Sequence, residues 1–241
     1  FIGNGSDEAI DLLFRIFCEP GRDECIICPP TYGMYRVSAE INDVAVIEVP
    51  LRQDFSLDAE GLLDSLGRQT KIVFICSPNN PTGNVMDRTS ILRIAESFSG
   101  IVVVDEAYAE FAEEEPLVSE ISKHPNIVVL RTFSKAWGMA GVRVGMAFAD
   151  EAIIDLMNRV KPPYNVSGIA QRAVLDALRS DDQIRSWISQ AVVERERLAE
   201  ELSRLSVVEK VFPSDANFLL VKTPDAAGIY KELIRSGIVV R

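Results

Sequence analysis

The stretch Asn126-Ile127-Val128-Val129-Leu130-Arg131-Thr132-Phe133-Ser134-Lys135-Ala136-Trp137-Gly138 decides how this chain folds. After Asn126 it runs apolar through Leu130 without polar alternation, the mark of a strand buried on both faces. Such strands belong to mainly parallel sheets, whose ligands sit beyond the carboxyl ends of the strands. Lys135 therefore stands at the mouth of a strand, behind the hydroxyls of Thr132 and Ser134 and ahead of Arg143. A lone lysine there reads most simply as a stem snorkelling to water. Lysine is also the residue that forms Schiff bases, and desolvation or a neighbouring cation uncovers its amine. What the other loops deliver to the same edge decides between the two readings.

Outward from this stretch the pattern repeats. Strands are expected at Cys25–Cys28, Asp43–Val49, Lys71–Cys76 and Ile101–Val104, with helices from Ser6 to the Pro20-Gly21 break, from Tyr32 to about Glu40, and over Asp58–Leu66. Val142–Phe148 follows Lys135 too closely for a helical crossover and is expected to run antiparallel to its neighbour. Helices are expected at Asn165–Leu178 and Ile184–Leu205. After them come strands Val207–Val211 and Asn217–Val221, a helix Pro224–Arg235 and a strand from Ile238. The fold class is α/β: a mainly parallel sheet with helices on both faces over residues 1–175, then part of a smaller α+β domain at 176–241.

Besides the lysine stretch, three strand-to-helix loops and the start of the first helix carry chemistry. Gly3-Asn4-Gly5 makes a turn, Ser6 reads as the N-cap of the following helix, and Asp7 and Glu8 fill its first turn. The free N–H groups of that helix start form a ready anion site. Tyr32 follows the Cys25–Cys28 strand. Ser77-Pro78-Asn79-Asn80-Pro81-Thr82-Gly83 is a proline-stiffened loop that holds polar amides rigidly. Asp105-Glu106-Ala107-Tyr108 puts a carboxylate at the end of an all-apolar strand, which is costly unless a cation pairs with it.

Composition bounds the partners. A net charge of -11 over 241 residues argues against nucleic acid or an anionic membrane as the main partner, yet leaves room for a small phosphorylated ligand. No apolar run approaches the roughly 20 residues of a membrane span, so a soluble, cytoplasmic protein is expected. Cys25 and Cys28 have Cys-x-x-Cys spacing, but they sit in an apolar strand with no second Cys/His pair, so no metal site is expected. The chain opens on Phe1 and stops on Arg241 in what reads as mid-strand, as a piece of a longer chain would.

A lysine for a Schiff base, a buried Asp for a pyridinium nitrogen, a tyrosine and an amide for a phenolate, and anion donors together make a pyridoxal 5'-phosphate (PLP) site. Asp105-Glu106-Ala107-Tyr108, Ser77–Gly83 and Ser134-Lys135 with Arg143 resemble the signatures of the fold-type I, class I/II aminotransferases. Gly5-Ser6-Asp7-Glu8, Cys28-Pro29-Pro30-Thr31-Tyr32-Gly33-Met34-Tyr35 and Arg131-Thr132-Phe133-Ser134-Lys135-Ala136 resemble the histidinol-phosphate branch of that family.

The resemblance implies a seven-stranded PLP-transferase sheet, with Lys135 as the Schiff-base lysine and proton carrier. Asp105 would pair with the ring nitrogen, Tyr108 and Asn80 with the phenolate oxygen, and Tyr32 with the ring face. Gly5, Ser6, Asp7, Thr132, Ser134 and Arg143 would surround the phosphate. Arg241 matches the position that binds the substrate's phosphate end. The implied reaction moves the amino group of L-histidinol phosphate to 2-oxoglutarate, giving imidazole acetol phosphate and glutamate, in a homodimer. A PLP lyase decarboxylating threonine phosphate and aromatic aminotransferases share most of these motifs. The carboxylate-binding arginine and an N-terminal lid are expected outside this sequence.

Overall fold

The computed structural model describes residues 1–241. In chain order the elements are β1 (Ile2–Gly3), α1 (Ser6–Phe17), β2 (Glu24–Ile27), α2 (Met34–Ile41), β3 (Ala45–Glu48) and α3 (Ala59–Asp64). They continue as β4 (Thr70–Cys76), α4 (Arg88–Ser97), β5 (Ile101–Asp105), β6 (Ile127–Thr132), β7 (Gly145–Phe148) and α5 (Glu151–Val160). The chain closes with α6 (Gly168–Leu178), α7 (Asp181–Ser203), β8 (Lys210–Val211), β9 (Val221–Lys222) and α8 (Ala226–Arg235).

Seven strands form one sheet in the order β1-β7-β6-β5-β4-β2-β3. Strands β3, β2, β4, β5 and β6 pair in parallel, while β7 is antiparallel to both β6 and β1. This is the mainly parallel, helix-covered α/β sheet expected from the apolar runs, including the antiparallel strand after Lys135.

Successive residues of one strand point to opposite faces, and here both faces are buried. Val103 and Leu130 pack under Ile10, Leu13 and Phe14 of α1 and Met157 of α5. Val102, Val104 and Val129 pack against Leu62 of α3 and Ile91 and Ile94 of α4 on the other side. Fully burying each such side chain is worth about 1.5–3 kcal/mol. No helix is long and apolar enough to cross a membrane.

Several local expectations change. Ser6 is not the N-cap: Gly5 holds that position at φ 77°, with no side-chain cap bond, and Ser6 is already helical. The reason is tertiary, because the Gly5 N–H donates to the Arg143 carbonyl (3.0 Å) and so ties the turn to the segment entering β7. Helices α4 and α5 appear where no element was anticipated, each started by an aspartate: Asp87 accepts from Ser90 N and Asp150 from Ala152 N. Asp58 caps α3, its side chain accepting from Gly61 N.

The last segment is plainer than anticipated. Only Lys210–Val211 and Val221–Lys222 pair, and the residues from Ile238 form no strand, since no neighbouring strand is there to take their backbone bonds. All four cysteines are buried free thiols, and no group of metal-ligating side chains forms.

Candidate active site

Three adjacent parallel strands end side by side and point their chains into one cavity. In the register, Cys76 of β4 lies beside Asp105 of β5, and Asp105 lies beside Leu130 of β6. Beyond those ends β4 leads to Asn80, β5 to Tyr108, and β6 to Ser134 and Lys135. The start of α1 closes a fourth side. All eleven residues assigned to cofactor binding from the sequence line this one pocket: Gly5, Ser6, Asp7, Tyr32, Asn80, Asp105, Tyr108, Thr132, Ser134, Lys135 and Arg143. Arg241 is exposed and does not line it.

Asp105 forms the floor and is 3% exposed. Burial pushes its carboxyl above the usual carboxylate range. Two hydrogen bonds to the charged form and the nearby Lys135 pull the other way, while Asp7 adds to the upward push. Tyr35 Oη donates to Oδ2 (2.8 Å) and the Ala107 N–H to Oδ1 (3.1 Å). Above the floor, Lys135 Nζ lies 5.1 Å from the centre of the Tyr108 ring, and Asn80 Nδ2 lies 3.4 Å from the Tyr108 hydroxyl. The Tyr108 ring is held from behind by Phe218, edge-on at 5.1 Å.

The opposite end is built for an anion. The first N–H groups of α1 have no intrahelical acceptors and face the pocket with the positive end of the helix dipole. Thr132 Oγ1 accepts from the Ser134 N–H (3.1 Å), which fixes both hydroxyl residues at the strand end. Arg143 sits in left-handed backbone conformation at φ 56°, an uncommon state for a residue with a side chain. Asp7 divides its carboxylate between Tyr32 Oη, which donates at 3.1 Å, and Arg143, at 3.4 Å.

The cradle has no room for further side chains. Gly5 sits at φ 77°, where any side chain is strained, and a Cβ on Gly145 would overlap the backbone of Gly5 and Ser6. Backbone pressed this close around a ring of donors is what a phosphate needs. A buried carboxylate at the floor and an amine above it suit a protonated pyridine ring bearing an aldehyde. The residues present therefore fit PLP.

Tyr35, Cys76, Ala140 and Gly145 were not anticipated as parts of the site. Tyr35 had a visible signal, since the helix expected from Tyr32 would put it one turn on along the same face; α2 in fact starts at Met34, with Tyr32 in the loop before it. Gly145 had none, because its role depends on β7 packing against a helix that starts about 140 residues earlier.

The chain belongs to the class I and II aminotransferase family, whose model matches residues 1–241. These are PLP-dependent enzymes. Within the family it is 50% identical, over 241 residues, to the histidinol-phosphate aminotransferase of Cytophaga hutchinsonii, covering 100% of this chain and 69% of that protein. Among solved structures it resembles the histidinol-phosphate aminotransferase of Clostridium acetobutylicum, with TM-score 0.91 and 25% identity, covering 100% of this chain and 73% of that one. It also resembles the Sinorhizobium meliloti enzyme of the same name, solved with pyridoxal-5'-phosphate, with TM-score 0.90 and 26% identity over 100% of this chain and 67% of that one.

Proposed function

We propose that the protein transfers the amino group of L-histidinol phosphate to 2-oxoglutarate, a step in histidine biosynthesis. The observation that carries this reading is the 50% identity to a histidinol-phosphate aminotransferase over the whole chain, with the catalytic set converging at three strand ends. When bound, PLP supplies an aldehyde that condenses with amines and a ring that accepts the electron pair left at the substrate's α-carbon.

The protein's residues divide the remaining work. Lys135 Nζ would hold the cofactor's aldehyde at rest and, when its amine is free, would itself accept the proton leaving the substrate's α-carbon. Asp105 holds the proton on the ring nitrogen, which keeps the ring electron-poor. Tyr108 and Asn80 donate to the phenolate oxygen, and Tyr32 covers the ring face. The N–H groups of Ser6 and Asp7, with Thr132, Ser134 and Arg143, bind the phosphate. The Asp7 carboxylate opposes an anion, and its part is to orient Tyr32 and Arg143, the two groups it touches.

Residues 1–175 form the cofactor-binding domain in this reading, and 176–241 part of a smaller one. Arg241 binds the substrate's phosphate end. A second copy completes a homodimer: Tyr164 and Ile169, 96% and 85% exposed, flank Asn165, which bonds Glu8 of α1, and are apolar surface of the kind a partner covers. Four unpaired thiols accord with a reducing, cytoplasmic setting.

The test supplies histidinol phosphate, threonine phosphate or tyrosine separately to the complete, PLP-loaded protein with 2-oxoglutarate. Glutamate formed fastest with histidinol phosphate is the expected result. Carbon dioxide release from threonine phosphate would point to a lyase, and a preference for tyrosine to an aromatic aminotransferase.

A further inference from the structure

Tyr35 is the bulkiest side chain in the protein that is wholly shut off from solvent. It lies on α2, stacked on Phe74 of β4 (ring centres 4.8 Å apart, planes at 16°) and edge-on to Tyr32 at 5.5 Å. A phenylalanine would fill the same space. The hydroxyl has a cost of burial that only a partner offsets, and that partner is Asp105 Oδ2 at 2.8 Å.

Asp105 is crowded by groups that differ in what they do to its charge. Asp7 from α1, Cys76 from β4, Tyr32 and Tyr35 from the α2 region, and Lys135 beyond β6 all face it. Burial and Asp7 disfavour the ionised carboxylate, while Lys135 favours it. Only two donors reach its oxygens, the Ala107 N–H on Oδ1 and the Tyr35 hydroxyl on Oδ2. The first is backbone and cannot be altered by side-chain change. The second is the single side-chain group that fixes how the carboxylate is rotated.

We propose that Tyr35 is the positioning residue for Asp105: its hydroxyl orients the carboxylate and keeps it ionised, so that the cofactor's ring nitrogen meets a charge and not a neutral acid. Through its edge contact the same side chain also sets the angle of Tyr32. The start of α2 and the loop before it, at positions 35 and 32, thereby govern both the ring's nitrogen and its face. This rests on the PLP reading of the pocket.

Tyr35→Phe tests it in the complete protein. In the cofactor-free form, infrared difference spectra against Asp105→Asn isolate the Asp105 carboxyl, whose titration midpoint should move upward in Tyr35→Phe. In the loaded form, PLP affinity should fall about tenfold, the scale of losing one hydrogen bond to a charge. The effect on affinity should vanish when Tyr35→Phe is made in the Asp105→Asn background.

A Tyr35→Phe protein with the wild-type carboxyl midpoint and PLP affinity overturns the proposal. So does an affinity loss that persists undiminished beside Asp105→Asn. If Tyr35→Phe alone does not fold, recovery of folding in the double variant supports the coupling, and failure of the double variant reduces Tyr35 to core packing. A wild-type protein that takes up no PLP would instead overturn the site assignment, a result the cofactor-free titration keeps separate.

Discussion

Gly145→Ala probes the tightest packing around the pocket. Its added Cβ would overlap Ser6 N and the Gly5 carbonyl carbon and stand 2.8 Å from the Gly5 oxygen. The strand cannot back away, because Gly145 is paired with Thr132 of β6 on one side and with Gly3 of β1 on the other. Nor can α1 retreat, since Ile10, Leu13 and Phe14 are packed with no exposure.

Overpacking of this kind costs about 1–3 kcal/mol. In a chain of this size each kcal/mol lowers Tm by about 2–4 °C, so thermal unfolding of the cofactor-free protein should shift down by about 2–12 °C. The strain falls on the N–H groups of the phosphate cradle, so PLP affinity, measured by fluorescence titration, should drop at least about tenfold, or about 1.4 kcal/mol. Gly141→Ala is the control: its Cβ would meet nothing within 4 Å, and both quantities should stay at wild-type values. A Gly145→Ala protein with unchanged Tm and affinity would refute the close-packed cradle.

Two further outcomes follow from the site and the core. Lys135→Ala should abolish the visible absorbance that distinguishes the lysine-bound cofactor, read directly from the spectrum of the loaded protein; an unaltered spectrum would remove Lys135 from its role. Burial pushes the Cys18, Cys25 and Cys28 thiols up to about 12 from an ordinary 9.0. Between those values the folded chain keeps protons that the unfolded chain has released, so stability should hold below about pH 9 and fall steadily as pH rises toward 12. Urea midpoints at pH 7, 9 and 10.5 measure it, and a flat series would show that these thiols titrate alike in both states.

The centre of the sheet was legible because β4, β5 and β6 are buried on both faces, so their sequences run apolar with no competing pattern. The chemistry was legible for the same reason. Polar residues at the ends of such strands, Asn80, Asp105 and Lys135, stand out against what precedes them. Gly5 was misread as a plain turn residue beside a capping Ser6, since its cap geometry is imposed by the Arg143 carbonyl, a contact far away in sequence. The aspartate-started helices α4 and α5 did carry a local signal, in Asp87 before Ile91 and Ile94 and in Asp150 before Ile153 and Met157. Tyr35 lies three residues after Tyr32, which precedes α2, but the hydroxyl's partner lies 70 residues away in sequence, beyond the reach of periodicity.

The placement of β7 between β1 and β6 bears on synthesis. The phosphate cradle needs Gly5 and Ser6, among the first residues of this chain, and Arg143 and Gly145, met only after every parallel strand has been made. A nascent chain that has passed β6 and Lys135 but not yet reached β7 holds Asp105 and Lys135 without a finished anion site. In the proposed reading, PLP uptake would wait until β7 has joined the sheet. A ligand that binds the finished fold and not the unfolded chain raises resistance to unfolding with its concentration, and PLP would act in this way here.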